Sequence, residues 1–231
     1  MVLNGKCAAC GIAMGRIYIY KDDLKIPEEC FIPEYEEQPS VERYLAVKRD
    51  AISEMEKIRL SLHNIDPEIA KIFSAHCDII EDIIFNEEIP ARIKNEHWSG
   101  DWAIYQVYET VISAIRKSAD PVFRERTADF IDIRTLLLSL WHGEKKKGLT
   151  AFNDPVIVAA RELLPSDAAR MDRSKVLAIL LENGSENSHA AIISKCYKIP
   201  FIFGIDNLLE TVKQGQLAAV NADEGYIILD V

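Results

Sequence analysis

The run Ser188-His189-Ala190-Ala191 is the part of this chain best equipped for chemistry. Gly184, Ser185, Glu186 and Asn187 precede it, and Ile192-Ile193-Ser194-Lys195 leads from it toward Ile199-Pro200-Phe201-Ile202-Phe203-Gly204. Serine suits a helix N-cap, so the apolar run behind Ser188 reads as a helix with His189 in its first turn. The N–H groups of a first turn have no intrahelical acceptor, and the helix dipole favours negative charge there. An imidazole in that place is a nucleophile beside an anion site, which is what a phosphohistidine needs. A histidine near a helix start, taken alone, is most often a capping or surface residue. Here the reading rests on the whole segment.

The elements that must hold this loop follow from the periodicity around it. Residues 156–159 and 176–181 are apolar runs of strand length, residues 201–203 are bounded by Pro200 and Gly204, and residues 217–220 and 226–229 flank a turn at Gly225. Helical or turn-like stretches at 166–172, 189–197 and 208–213 alternate with them, an α/β pattern. Residues 1–20 read as loop and strand, and residues 21–39, rich in proline and carboxylates such as Asp22 and Asp23, as an irregular excursion. From Ser40 the period becomes helical, with Tyr44, Leu45, Ala51, Ile52, Met55, Ile58 and Leu62 expected on the inner side. Asp66-Pro67, a piece over 87–96, Ser99, and Asp120-Pro121 mark further helices, the last expected to run unbroken to Trp141 and stop at Gly143. Consecutive helices with short connections make a bundle. The charged seam Glu144-Lys145-Lys146-Lys147-Gly148 separates the two blocks.

The histidine segment resembles the phosphohistidine signature of the enzymes that exchange phosphate with phosphoenolpyruvate: Enzyme I of the bacterial sugar phosphotransferase system (phosphoenolpyruvate-protein phosphotransferase), pyruvate phosphate dikinase and phosphoenolpyruvate synthase. The matching positions are Gly184, Ser188, His189, Ala190, Ala191, Ile192, Ile199, Pro200 and Gly204. Two helical stretches, Phe73-Ser74-Ala75-His76-Cys77-Asp78-Ile79-Ile80-Glu81-Asp82 and Glu125-Arg126-Thr127-Ala128-Asp129-Phe130-Ile131-Asp132-Ile133, resemble Enzyme I in particular. The resemblance covers essentially the whole chain. It implies an α+β multidomain fold, in which a swivelling α/β phosphohistidine domain (1–20 plus 148–231) carries an inserted all-α bundle (21–147, core about 40–143) of the HPr-binding type.

On that resemblance, His189 takes a phosphoryl group originating from phosphoenolpyruvate and passes it to a histidine of an HPr-type carrier in sugar uptake. Gly184, Ser188 and Ala190 would cradle the phosphoryl oxygens, and Glu68, Asp78, Ile79 and Asp82 would meet the carrier. His76, among Phe73, Ile79 and Ile80, reads as a bundle histidine rather than a second acceptor. The family's barrel, which binds phosphoenolpyruvate and magnesium, would begin where this sequence stops at Asp230-Val231. No cofactor is therefore expected within the chain, magnesium only with that barrel, and no phosphoenolpyruvate turnover by these residues alone. The alternative is a catalytically silent module that binds a carrier for regulation. Departures from the family pattern are Ser185 for glycine, Glu186 beside the incoming dianion, Asn187 for threonine, Ile131 for arginine, and Leu164 where a threonine hydroxyl can orient the ring.

Composition narrows the rest. The 231 residues, 48% hydrophobic and 28% charged, suffice for two folded domains. A net charge of −10 does not suit a nucleic-acid backbone and does suit a basic protein partner. No apolar run reaches the ~20 residues of a membrane span, and residues 1–6 lack a signal-peptide core. A cytoplasmic location without membrane insertion is the expectation. Five cysteines make no disulfide framework. Cys7-Ala8-Ala9-Cys10 lacks the second pair that zinc would need and leads toward a strand rather than a helix, so it reads as structural.

Overall fold

A computed structural model describes residues 1–21, 26–144, 149 and 152–231. In chain order it contains β1 (Val2–Asn4), β2 (Lys6–Ala9), β3 (Ile12–Ile19), α1 (Glu34–His63), α2 (Pro67–Ile80), α3 (Ile83–Asn95), α4 (Gly100–Arg116), α5 (Pro121–Glu125), α6 (Thr127–Trp141), β4 (Val156–Ala160), α7 (Pro165–Arg170), β5 (Val176–Leu181), α8 (His189–Tyr197), β6 (Phe201–Phe203), α9 (Leu208–Thr211), β7 (Leu217–Asn221) and β8 (Tyr226–Leu229). They form two compact units, one of Met1–Asp23 with Lys147–Val231, the other of Leu24–Lys146. Asp22 and Asp23 of the acidic excursion and Lys145 to Gly148 of the charged seam lie outside the described residues.

The first unit is an eight-stranded sheet in the order β1-β8-β7-β3-β4-β5-β6-β2. β3, β4, β5 and β6 run parallel, while β7, β8 and β1 on one side and β2 on the other add antiparallel strands. Parallel neighbours need crossover connections, usually helical, and α7 and α8 supply those from β4 to β5 and from β5 to β6. One sheet face buries Ile17, Ile157, Ala159, Leu180, Ile202 and Ile227 with Leu208 of α9. α8 packs on β2 and β6. Its inner residues Ala190 and Ala191 are small, which lets the start of the helix approach the sheet closely. Gly225 closes the β7–β8 turn at φ +74°, where a Cβ would stand 2.6 Å from the Gly5 carbonyl oxygen.

The second unit is the bundle α1 to α6, with α1 against α2, α3 and α6, and α4 against α3 and α6. Its core stacks Phe85 on Tyr108, with ring centroids 4.1 Å apart, over Tyr44, Met55, Phe73, Ile89 and Ile104. Four sequence expectations differ from the structure. α1 begins at Glu34, with Pro39 inside it; Glu34, Glu36 and Glu37 suit the positive end of the dipole, and burial of Val41 and Tyr44 outweighs the one backbone bond a proline forfeits. Leu45 of that helix is 39% exposed, and Val41 and Val47 are buried in its stead. The expected single helix from Asp120 is two, broken at Arg126, where Arg126 N–H donates to Phe123 O and Asp129 N–H to Arg126 O in tight i→i−3 bonds. The piece expected at 87–96 starts earlier, at Ile83, because the Asp82 carboxylate accepts from Ile84 N–H at 2.8 Å and caps it. Among the described residues no helix is long and apolar enough to cross a membrane.

Candidate functional site

In an open sheet with parallel strands, ligand sites form outside the carboxyl ends of the strands. The loop of residues 182–188 leaves β5 at that end and enters α8 at His189. Gly184 makes the turn possible: its φ is +147°, and a Cβ there would touch the Phe203 Cβ at 3.4 Å. The next turn closes through the Ser188 amide, which donates to the Ser185 carbonyl oxygen at 3.2 Å. Ser188 has extended dihedrals (φ −61°, ψ 149°), and its Oγ accepts from Ala191 N–H at 3.2 Å, a true N-cap. Such a cap contributes ~1 kcal/mol to the helix.

His189 is thus the first helical residue, half-buried, with Ala190 2% exposed behind it. The Ala190 amide is the second of the helix, a position without an intrahelical acceptor. The Ser188 hydroxyl oxygen and amide are both engaged in shaping the loop, so toward a bound anion this serine has its hydroxyl proton left to offer. Ser188, His189 and Ala190 are therefore gathered at one helix start, and Gly184 turns the loop that leads to it.

Lys195 was not among the sequence candidates. From the second turn of α8 its Nζ reaches back and donates to the Glu186 carbonyl oxygen at 3.1 Å, with a Glu186 carboxylate oxygen at 3.9 Å. It braces the loop and offsets the one carboxylate that sequence alone sets against an incoming dianion. A lysine six residues beyond the histidine carries no local signal for this, because the contact depends on how a long side chain folds back.

α7 packs against α8 and opens at Leu164-Pro165. Leu164 is the N-cap of α7 without a side-chain cap bond, and it is 5% exposed. Ser166 and Asp167, in the first turn of α7, are 3% and 1% exposed. At the far end of α8 the Tyr197 hydroxyl donates to the Ala169 carbonyl oxygen at 3.3 Å, and the Arg173 guanidinium lies 4.8 Å from the Tyr197 ring centre.

The residues assigned to a partner lie on the helical unit and are not beside His189 in sequence or unit. Glu68 and Asp78 are exposed on α2 and Ile79 is half-buried. Asp82 is exposed but also serves as the cap of α3. Glu68 is held by Lys71, whose Nζ lies 2.7 and 2.8 Å from its two oxygens, so this end of the acidic face is locally balanced. Directly after Asp82 stand exposed apolar side chains, Ile83 at 66% and Ile84 at 51%, and elsewhere on the helical unit Val122 and Phe123 of α5 are 70% and 50% exposed.

His76 is fully buried. Its Nδ1 lies 2.8 Å from the Ile72 carbonyl oxygen and its Nε2 3.4 Å from an Asp132 carboxylate oxygen. It is a packed member of the bundle, out of reach of a phosphoryl donor. Among the described residues no group of three or more His, Cys, Asp or Glu side chains is placed to hold a metal ion.

Comparison with known proteins places these units. Residues 4–126 match the family described as the N-terminal part of PEP-utilising enzymes, and residues 152–225 match the mobile domain of PEP-utilising enzymes. The phosphoenolpyruvate-protein phosphotransferase of Mycoplasma capricolum is 30% identical over 230 residues, 99% of this chain and 40% of that protein. The enzyme of the same name from Lactococcus lactis is 28% identical over 232 residues, again 40% of its length. The chain thus spans two-fifths of these relatives. A solution structure of Enzyme I (nEIt) superposes with a TM-score of 0.77 at 30% identity, covering 99% of this chain and 92% of that one. The N-terminal domain of Enzyme 1 – Nitrogen shares the fold, with a TM-score of 0.65 at 19% identity over 99% of this chain and 93% of the other.

Proposed function

We infer, for a chain that belongs to the phosphoenolpyruvate-utilising enzymes and corresponds to the N-terminal portion of Enzyme I, that His189 is a relay for phosphoryl groups. The group originates from phosphoenolpyruvate, held by the C-terminal domain of a full enzyme, and is delivered to the histidine of an HPr-type carrier. The observation that carries this reading is the position of His189 as first residue of α8, directly after a formed Ser188 cap and at the carboxyl end of β5.

The chemistry asks little covalent work of the protein, since phosphoryl transfer is governed by positioning and electrostatics. A neutral ring nitrogen attacks phosphorus; an N–P bond forms as the bond to the donor oxygen breaks. The resulting dianion sits at the positive end of α8, an arrangement worth ~0.3–1 kcal/mol at an exposed site. On this reading the Ala190 N–H and the Ser188 hydroxyl donate to its oxygens. Lys195 keeps the Glu186 backbone in place and lowers the negative potential there. Delivery reverses the step, with the carrier's imidazole as nucleophile.

On the helical unit, the acids Asp78, Glu81 and Asp82 speed and orient encounter with a basic carrier, while Ile79, Ile83 and Ile84 beside them supply apolar contact area.

Incubating the chain with a phosphorylated HPr-type protein tests the reading. One acid-labile, alkali-stable phosphate per chain is expected on the peptide containing His189, and His189→Ala should take up none. Carrier binding without any transfer, by a folded sample, would instead establish a silent docking module.

A further inference from the structure

The pair Cys7 and Cys10 stands apart from all of this. On a regular strand, residues three apart face opposite sides of the sheet. β2 is not regular: Cys7 opposes Ile202 and Ala9 opposes Phe201, so Ala8 is the extra residue of a bulge against β6. That one inserted residue turns Cys10 to the side of Cys7, and their sulfurs stand 3.5 Å apart. The following residue locks the bend. Gly11 has φ +139°, its N–H donates to an Asp223 carboxylate oxygen at 2.7 Å, and a Cβ there would stand 2.8 Å from the Pro200 ring.

We propose that Cys7 and Cys10 form a reversible dithiol–disulfide site, with hydrogen peroxide as oxidant. A disulfide bond of about 2.05 Å requires the sulfurs to close by roughly 1.5 Å, the scale of a side-chain rotation. β2 is the edge strand of its sheet and Cys10 is exposed, so closure disturbs no core. The two thiols have different parts. Burial, the hydrogen bond with Cys10, and the charges of Asp223 and Glu186 push the Cys7 thiol up to about 11. Cys10 is exposed while Cys7 is half-buried at its side, so Cys10 is the sulfur that meets the oxidant.

In the first step the Cys10 thiolate attacks one peroxide oxygen. An S–O bond forms, the O–O bond breaks, and the hydroxide released takes a proton to become water. In the second, the Cys7 sulfur attacks the Cys10 sulfenic acid; the S–S bond forms, the S–O bond breaks, and water departs with the Cys7 proton. Two thiols lose two electrons, and one peroxide becomes two waters. A small dithiol reverses the change by exchange.

The test uses the full reduced chain exposed to equimolar hydrogen peroxide, then alkylated, digested and weighed. The peptide carrying Cys7 and Cys10 should lose about 2 Da and regain its alkylation after dithiothreitol, while exposed Cys30 stays alkylatable. In Cys7→Ser, Cys10 should persist as a sulfenic acid trapped by dimedone. A gain of about 32 Da at Cys10 with Cys7 still free, or oxidation of Cys30 ahead of the pair, would overturn the proposal.

Discussion

Lys195 Nζ holds the Glu186 carbonyl oxygen at 3.1 Å, tying the second turn of α8 to the loop that delivers His189. The tie joins a cation to the residue whose carboxylate would otherwise face the transferred group alone. Replacing Lys195 by methionine should keep the fold and slow loading of His189 by a phosphorylated carrier about tenfold, the equivalent of one charge-assisted bond of ~1.4 kcal/mol. Lys195→Arg should retain most of the rate. Stopped-flow or quench-flow labelling reads both, and an unchanged rate in the methionine variant removes the role.

Ser188 separates folding from chemistry. Ser188→Ala removes the acceptor for Ala191 N–H and should lower stability by ~1 kcal/mol in urea titrations followed by circular dichroism. Ser188→Asp keeps a capping oxygen but sets a carboxylate beside the reacting ring, so stability should hold while phosphate uptake falls sharply. Equal uptake by the aspartate variant would place the phosphoryl group elsewhere.

The buried pair in the bundle predicts a pH dependence. Burial alone would push the His76 imidazole down; Asp132 at 3.4 Å, the Asp129 charge and the Ile72 carbonyl more than offset it, and the imidazole is raised above its ordinary value. A raised folded-state value means the stabilisation is complete below the unfolded value of about 6.5 and fades as pH climbs through the folded one. Trp98, Trp102 and Trp141 all belong to the helical unit, so tryptophan fluorescence reports on it selectively. Urea midpoints should drop from about pH 6 to about pH 9, and the drop should shrink in His76→Gln. Parallel pH profiles for the two proteins would contradict the assignment.

For the docking face, charge and apolar area should part experimentally. Asp78→Lys should slow carrier association mainly at low salt. Ile83→Ser with Ile84→Ser should instead speed dissociation and weaken binding about tenfold or more, with little change in melting temperature because both side chains are exposed. Calorimetry and surface plasmon resonance distinguish the two outcomes; undiminished binding in both would move the interface off this surface.

Leu164 stands where the family resemblance expects a threonine hydroxyl to orient the ring, at the start of α7, which packs on α8. Leu164→Thr adds a hydroxyl at the α7 N-cap, where none now serves. Transfer should become several-fold faster if an oriented ring limits it, and the same rate in both proteins would show that the ring is already held by other groups.

Where local rules govern, the chain was legible. The cap at Ser188, the helix behind it and the Asp66-Pro67 and Asp120-Pro121 starts all follow from residues within one turn. Pro39 is a breaker by local rules alone, while the burial of Val41 and Tyr44 that sustains α1 is tertiary. The brace from Lys195 was hidden for the same reason. Least visible was the bulge at Ala8: register there is fixed by β6, far along the chain, so a cysteine spacing with no partner motif gave no sign of two touching sulfurs.

The discontinuity of the sheet has a consequence for biosynthesis. β1, β2 and β3 leave the ribosome first, yet their hydrogen-bonding neighbours β8, β6, β7 and β4 are all made after the bundle. The bundle, a compact unit built from one continuous stretch, can mature while those leading strands wait with open edges. Such edges invite pairing with other nascent chains. Premature termination anywhere before Tyr226 would leave Val2, Leu3 and Asn4 without their partners, so aggregation of truncated products should be a hazard of this topology more than of its sequence.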